Sequence, residues 1–216
     1  MSIHSYEALN LMAATKSANT STRSSTPDKR EAILKAAIRV FASKGYFNSK
    51  VSDIAGQARI ADGTVYLYFK SKEEILHSIF NRMMETFISE GKRELEGMAR
   101  ADEKLRRIAE LHLERLGADR DLAIVFQVQL RGSIKFMREF SAAGFAEYLD
   151  LIRETIAEGQ LQGVFRKELN PVVCSKILFG ALDEMVTNWI LSKKKFELAP
   201  FAGEVLDVFF KGVAKA

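Results

Sequence analysis

The chain of 216 residues contains one cysteine, Cys174, so no intramolecular disulfide framework holds it together and a reducing compartment suits it. It has three prolines and 13 glycines. That is too little turn chemistry for a fold of many short strands, and long helices are expected instead. No apolar run approaches the roughly 18–20 residues that span a bilayer. The opening stretch MSIHSYEALN lacks a basic segment leading into an apolar one, so it does not read as a secretory leader. A cytoplasmic protein with no membrane partner is the expectation. Histidine is also scarce: His4, His77 and His112 are the full set, and none pairs with another at metal-ligand spacing. His112-Leu113-Glu114 has the H-x-E form of zinc deaminases, but no C-x-x-C completes such a site. A P-loop, a G-x-G-x-x-G and a G-x-S-x-G are all missing. No enzyme, no metal and no cofactor is expected.

What is present suits a folded chain, with 47% apolar and 28% charged residues. The net charge of +4 is unevenly distributed. Residues 27–72 hold nine Lys and Arg against four Asp and Glu, a net +5, while residues 73–216 are slightly acidic. A basic first third on an acidic body suggests a head for a polyanion and a body with another task, although such a run is more often only a solvated face. The expected organisation is a mobile tail over 1–26, a head over 27–72 and a body over 73–216.

The periodicity is helical throughout, so the fold class is all-α. Thr26-Pro27 offers a cap and a first helical position. Ile33, Leu34, Ala37, Ile38 and Phe41 then form one apolar stripe that Gly45 ends. Ser49 is the expected cap of a short helix with Val51, Ile54, Ala55 and Ala58 inward. Ser71-Lys72-Glu73-Glu74 is a capping box, opening a helix over about 71–96. Further helices are expected near 102–116, 119–140 (broken at Gly132), 143–160, 171–192 and 200–214. Phe126-Gln127-Val128-Gln129-Leu130 alternates like a strand, but without a partner strand elsewhere helix is preferred.

The order long helix, short helix, turn, short helix, capped helix within residues 30–76 is the layout of a helix-turn-helix. The second short helix enters the major groove, and its first residues must be small or polar to reach base edges and phosphates. Asp62, Gly63 and Thr64 meet that need. Tyr66 and Tyr68 offer hydroxyls to phosphate oxygens, with core packing an equal alternative. Lys70 and Lys72 sit at a helix start that favours anions, and Ser49 and Lys50 at the bracing helix suit the opposite phosphates.

Arg30, Ile33-Leu34, Ala36-Ala37, Phe41, Gly45-Tyr46, Ile54-Ala55, Gly63-Thr64-Val65-Tyr66, Tyr68-Phe69, Lys72-Glu73 and Leu76 closely resemble the DNA-binding head of the TetR family of bacterial transcription regulators. The resemblance implies all-helical homodimers with a three-helix head on a body that binds a small effector. It implies operator contacts at Lys50, Gly63, Thr64, Tyr66, Tyr68, Lys70 and Lys72 on double-stranded DNA. Two pairs depart from the family pattern: Ser49-Lys50, where Thr-Ser or Thr-Thr is usual, and Ala61-Asp62, where Ser-Lys or Ser-Pro is common. The departures bear on the operator sequence rather than on the binding mode.

The body is similar to the FadR-type branch of that family. The matching segments are Leu122-Ala123-Ile124-Val125, Gln127, Leu130-Arg131, Phe179-Gly180, Asp183-Glu184, Thr187 and Trp189. This implies a repressor of fatty-acid degradation genes that long-chain acyl-CoA releases from DNA. An acyl chain needs an apolar tunnel, for which Phe87, Phe126, Leu130, Met185 and Trp189 are candidates beside Met83, Met84, Leu111, Met137 and Leu178, flexible methionines suiting variable chain lengths. Any one of these is more often plain core. Arg131 is the preferred phosphate partner, with Arg106, Arg107 and Lys135 behind it. A salt bridge from Arg131 to Asp183 or Glu184 is equally open. Helices 171–192 and 200–214 are the expected two-fold interface, Gly180-Ala181 allowing close approach. A multidrug or other apolar effector on the same fold is the alternative, and an enzyme the least supported reading.

Overall fold

The computed structural model describes residues 28–129 and 142–214. The tail expected over 1–26, and Leu130, Arg131, Gly132, Lys135 and Met137, lie outside these.

Three helices build the head. Helix α1 (Lys29–Lys44) is capped by Asp28, whose carboxylate accepts from the Arg30 amide at 3.0 Å. The cap thus falls two residues after the expected Thr26, on a side chain whose charge complements the helix dipole. Gly45, at φ 78°, stops the helix where expected. Helix α2 (Val51–Ala58) is capped at Lys50 rather than Ser49. The Ser49 hydroxyl donates backward to the Gly45 carbonyl at 2.5 Å, while Asp53 in the first turn accepts the Lys50 amide at 2.9 Å. Arg59, at φ 57°, turns the chain into the left-handed region between α2 and α3 (Asp62–Tyr66). Phe41, Ile54, Val65 and Phe69 are buried together and fix the three helices as one unit.

Helix α4 (Lys72–Leu95) belongs to both parts. Its cap is the predicted one: the Ser71 hydroxyl oxygen accepts from the Glu74 amide at 3.1 Å. At 24 residues it is about 36 Å long. Ile75, Leu76 and Ile79 are buried near the head, and Met83, Met84, Ile88 and Leu95 are buried further along.

The body adds α5 (Ala101–Ala118), α6 (Arg120–Ile124), α7 (Ala142–Leu161), α8 (Pro171–Leu191) and α9 (Phe201–Val213). Most boundaries fall within two residues of the periodicity reading. Asn170 caps α8 by accepting from the Val172 amide at 2.9 Å, with Pro171 in the first turn. Of the helix expected over 119–140, the described part is helical: α6, five residues long, passes into a π-helical turn, Val125–Gln129, and the remainder lies outside the described residues. Phe126 to Gln129, which alternate like a strand, are thus helical, as preferred. Among the described residues there is no strand, only an isolated bridge between Phe165 and Ala214. No described helix is long and apolar enough to cross a membrane.

Packing in the body is tight where helices cross. The buried ring of Phe165 lies against Gly159 so closely that a Cβ there would overlap it. On the outside, α8 and α9 keep an uncovered apolar face with Val173 52% exposed, Ile177 58% and Val208 74%, and with Gly180 and Ala181 exposed between. Solvated aliphatics in such a row mark a protein contact surface.

Candidate nucleic-acid interface and effector cavity

The head divides its candidate residues into two groups. Lys50, Gly63, Tyr66, Tyr68 and Lys70 are exposed, and Thr64 is half-buried. Val65 and Phe69, on the opposite side of the same short segment, are buried. That division turns the Gly63–Tyr66 surface outward, as groove entry needs. Ser49 and Lys72 are held differently. Ser49 is buried, and Lys72 Nζ donates to the carbonyls of Tyr46 at 2.6 Å and Ser49 at 2.7 Å. The same ammonium lies 4.4 Å from the centroid of the Tyr46 ring, and burial pulls its pKa down. Lys72 is therefore a strut that fixes the loop before α2, with two of its three donors engaged inside the head.

An apolar cavity lies in the body. It is lined by Met83, Met84 and Phe87 of α4, His112 and Leu116 of α5, Phe126 of the π-helical turn, Phe145 and Tyr148 of α7, and Phe179 of α8. Phe87 and Phe126 are thus brought together. Met185 is half-buried and is not in the lining. Trp189 serves elsewhere: its indole N–H donates to the Phe196 carbonyl at 2.9 Å. The Arg120 guanidinium covers that ring at 5.1 Å and donates to the carbonyls of Trp189, Ile190 and Ser192, closing the C-terminus of α8. The void inside the lining is about 10 Å³, room for about one water molecule. A chain molecule enters only if Met and Phe side chains move apart.

The two described cationic candidates are engaged. Arg107 bridges Glu94, Glu110 and Glu114, and Arg106 lies over the Phe210 ring. Sequence reasoning passed over a second space, a cleft of about 240 Å³ between α1, α4, α5 and α6. Its walls include Leu34, Ile38 and Leu122, the cations Lys35, Arg82 and Arg115, and the carboxylates Glu31 and Asp119; Lys35 and Arg82 pair with Glu31, and Arg115 with Glu90. Met83 and Phe87 line both spaces, so the cleft adjoins the cavity. No sequence signal marks the cleft, because it forms only where head meets body.

One polar pair interrupts the apolar lining. His112 Nδ1 and the Tyr148 hydroxyl are 2.9 Å apart and both side chains are buried. Beside them Gln127 Nε2 donates to buried Asp183 at 2.8 Å. Burial pushes the His112 pKa down to about 4, the nearby Asp183 charge opposing this, so the ring is neutral near pH 7. The unfolded chain takes up that proton near pH 6.5, so His112 makes the fold lose stability as pH falls from about 6.5 to 4. His112 read in the sequence as an isolated histidine because its partner lies 36 residues away.

A hydrogen bond connects the two sites. The Tyr46 amide, in the head's loop before α2, donates to Gln129 Oε1 at 2.8 Å. Gln129 ends the π-helical turn, and Phe126 of that turn lines the cavity, stacked on Phe80 of α4 at 5.4 Å.

Comparison with known proteins gives consistent matches. Residues 33–79 match the family "Bacterial regulatory proteins, tetR family", and residues 80–212 match "YsiA-like protein, C-terminal region". The fatty acid metabolism regulator protein of Bacillus subtilis is 37% identical over 181 residues, covering 84% of this chain and 93% of that protein. Among solved structures, the fatty acid degradation regulator FadR of Bacillus halodurans superposes with a TM-score of 0.81 at 36% identity, over 85% of this chain and 95% of that one. FadR of Bacillus subtilis, solved in complex with stearoyl-CoA, gives a TM-score of 0.80 at 36% identity over 84% and 98%. The outward recognition helix, the bracing α2, the shared α4 and these matches along the body together place the chain in the TetR family of bacterial DNA-binding regulators.

Proposed function

We propose that the protein is a homodimeric operator-binding repressor that long-chain acyl-CoA releases from DNA. The observation that carries the reading is the position of the cavity: α4 forms one of its walls and also anchors the head. No carboxylate occurs in its described lining, which disfavours the cationic drugs that an acidic pocket would attract. The acyl chain occupies the cavity, and the CoA phosphates approach Lys35, Arg82 and Arg115 of the adjoining cleft, in exchange for their ion pairs with Glu31 and Glu90. Lys50, Gly63, Thr64, Tyr66, Tyr68 and Lys70 meet the operator, while Ser49 and Lys72 hold the loop behind them. A regulator of this kind works on cytoplasmic DNA.

Release follows from linkage. An acyl chain that parts the side chains around Phe126 shifts the π-helical turn, and Gln129 carries the shift to the Tyr46 loop. To act as a switch the ligand must favour the released form by about 1–3 kcal/mol. In a mobility-shift titration with the DNA upstream of its own gene, stearoyl-CoA should dissociate the complex and stearic acid should do so more weakly. Equal potency would remove the CoA group from recognition, and no release by either would overturn the effector assignment. Gln129→Ala should leave stearoyl-CoA binding intact, since Gln129 is outside the cavity lining. It removes one transmitting hydrogen bond, so the difference in operator affinity with and without stearoyl-CoA should shrink roughly fivefold. An unchanged difference would place the transmission elsewhere.

A further inference from the structure

One residue of the apolar lining, His112, carries a polar atom without a partner among the described residues. His112 Nε2 is buried and has no hydrogen-bond partner among the described residues. The ring is in the cavity wall, packed among Phe87, Tyr148 and Phe179 at centroid distances of 5.8 to 6.0 Å. Its protonation can be assigned from the neighbour. If the Tyr148 hydroxyl donates to Nδ1, a neutral ring carries its proton on Nε2. The opposite tautomer would use Nδ1–H as donor and leave the Tyr148 hydroxyl proton with no acceptor of its own. The first arrangement strands fewer groups, so Nε2–H is a buried donor in an apolar wall. Burying an unpaired donor is unfavourable, and a hydrocarbon chain passing it would leave it unpaired.

We infer that His112 Nε2–H is a specificity-determining donor that receives an oxygen of the effector inside the cavity. Tyr148 is its positioning residue: it fixes the tautomer and the tilt of the ring. This inference rests on the acyl-CoA reading and adds the polar contact that the reading lacks. The oxygen has two possible sources, the thioester carbonyl or a hydroxyl farther along the chain. In either case the cavity ranks ligands by where they carry oxygen as well as by length.

Three ligands separate the possibilities: stearoyl-CoA, its thioether analogue S-octadecyl-CoA without the carbonyl, and a 12-hydroxystearoyl-CoA. Affinities are measured calorimetrically on the full-length protein, His112→Phe and Tyr148→Phe. If the carbonyl is the partner, the native protein binds stearoyl-CoA roughly tenfold tighter than the thioether. If the chain oxygen is the partner, it binds the hydroxylated chain roughly tenfold tighter than stearoyl-CoA. In His112→Phe the gap closes, because phenylalanine keeps the ring packing and has no donor. Tyr148→Phe frees the ring to take either tautomer and should narrow the gap without closing it. A native protein that binds the ligands with no gap, or a His112→Phe variant that keeps it, overturns the inference and leaves the acyl-CoA reading standing. A native protein that binds none of the three overturns both.

Discussion

Ile177→Glu should give a folded monomer whose operator affinity is about 100-fold to 10,000-fold weaker than that of the native protein. Ile177 is 58% exposed on α8, in a row with Val173, Gly180 and Ala181. Its substitution removes no intrachain core contact, so the thermal transition of each chain should survive. In a two-fold interface a residue near the axis faces its own copy or a close neighbour of it. Two carboxylates would then be buried opposite each other on an apolar face, an arrangement that disfavours association by several kcal/mol. The effect on DNA follows from geometry. A five-residue recognition helix reads little sequence alone, whereas two joined heads engage two half-sites with the second binding step made intramolecular. Sedimentation velocity, circular dichroism and operator titration measure the three quantities separately. A dimer that retains native affinity would show that this face is not the interface.

Gly63→Glu should reduce operator affinity roughly 100-fold while leaving folding and effector binding intact. Gly63 is exposed on α3, and a Cβ built on it meets nothing within 4 Å, so the fold has room for a side chain there. The same openness lets its backbone approach DNA, and a carboxylate at that point faces phosphates. Gly63→Ala, which raises local helix propensity by up to about 1 kcal/mol, is the control for bulk without charge. Salt dependence sorts the cations nearby. Lys50→Ala and Lys70→Ala should each lower the slope of log affinity against log salt by about 1. Lys72→Met should act instead through the Tyr46 and Ser49 carbonyls that Lys72 holds, weakening the head's stability before its charge count matters. Native affinity in Gly63→Glu would take α3 out of the groove.

Much of this was legible in the sequence, for reasons visible in particular residues. The stripe from Ile33 to Phe41 and the Ser71–Glu74 box depend on neighbours three or four positions away, so local spacing carries them. The TetR-like head is readable because its fold and its candidate DNA-contact residues sit in one short segment. What escaped depended on which of several partners, near or distant in the chain, each polar side chain takes in the fold. Lys72 looked like a surface cation until Tyr46 and Ser49, 26 and 23 residues away, came within reach. Arg107 looked free for phosphate, yet Glu94 of α4 and two carboxylates of its own helix hold it. Ser49 is a good cap by type, but the backward bond to Gly45 removes its hydroxyl from that task. Trp189 sits in a matching segment, and nothing local told that Arg120 and the Phe196 carbonyl would claim its ring. The π-helical turn has no local signal that separates it from an ordinary helix.

That turn makes the connection between the two sites a matter of residue count. A π turn is an α-helix that has taken in one extra residue. Were the same five residues, Val125–Gln129, wound at the regular pitch instead, Gln129 would come off a different face of the helix. Phe126 would still sit near Phe80, but the side-chain amide of Gln129 would swing away from the Tyr46 backbone. The wider pitch is therefore what lets one five-residue stretch present Phe126 to the cavity and Gln129 to the Tyr46 loop.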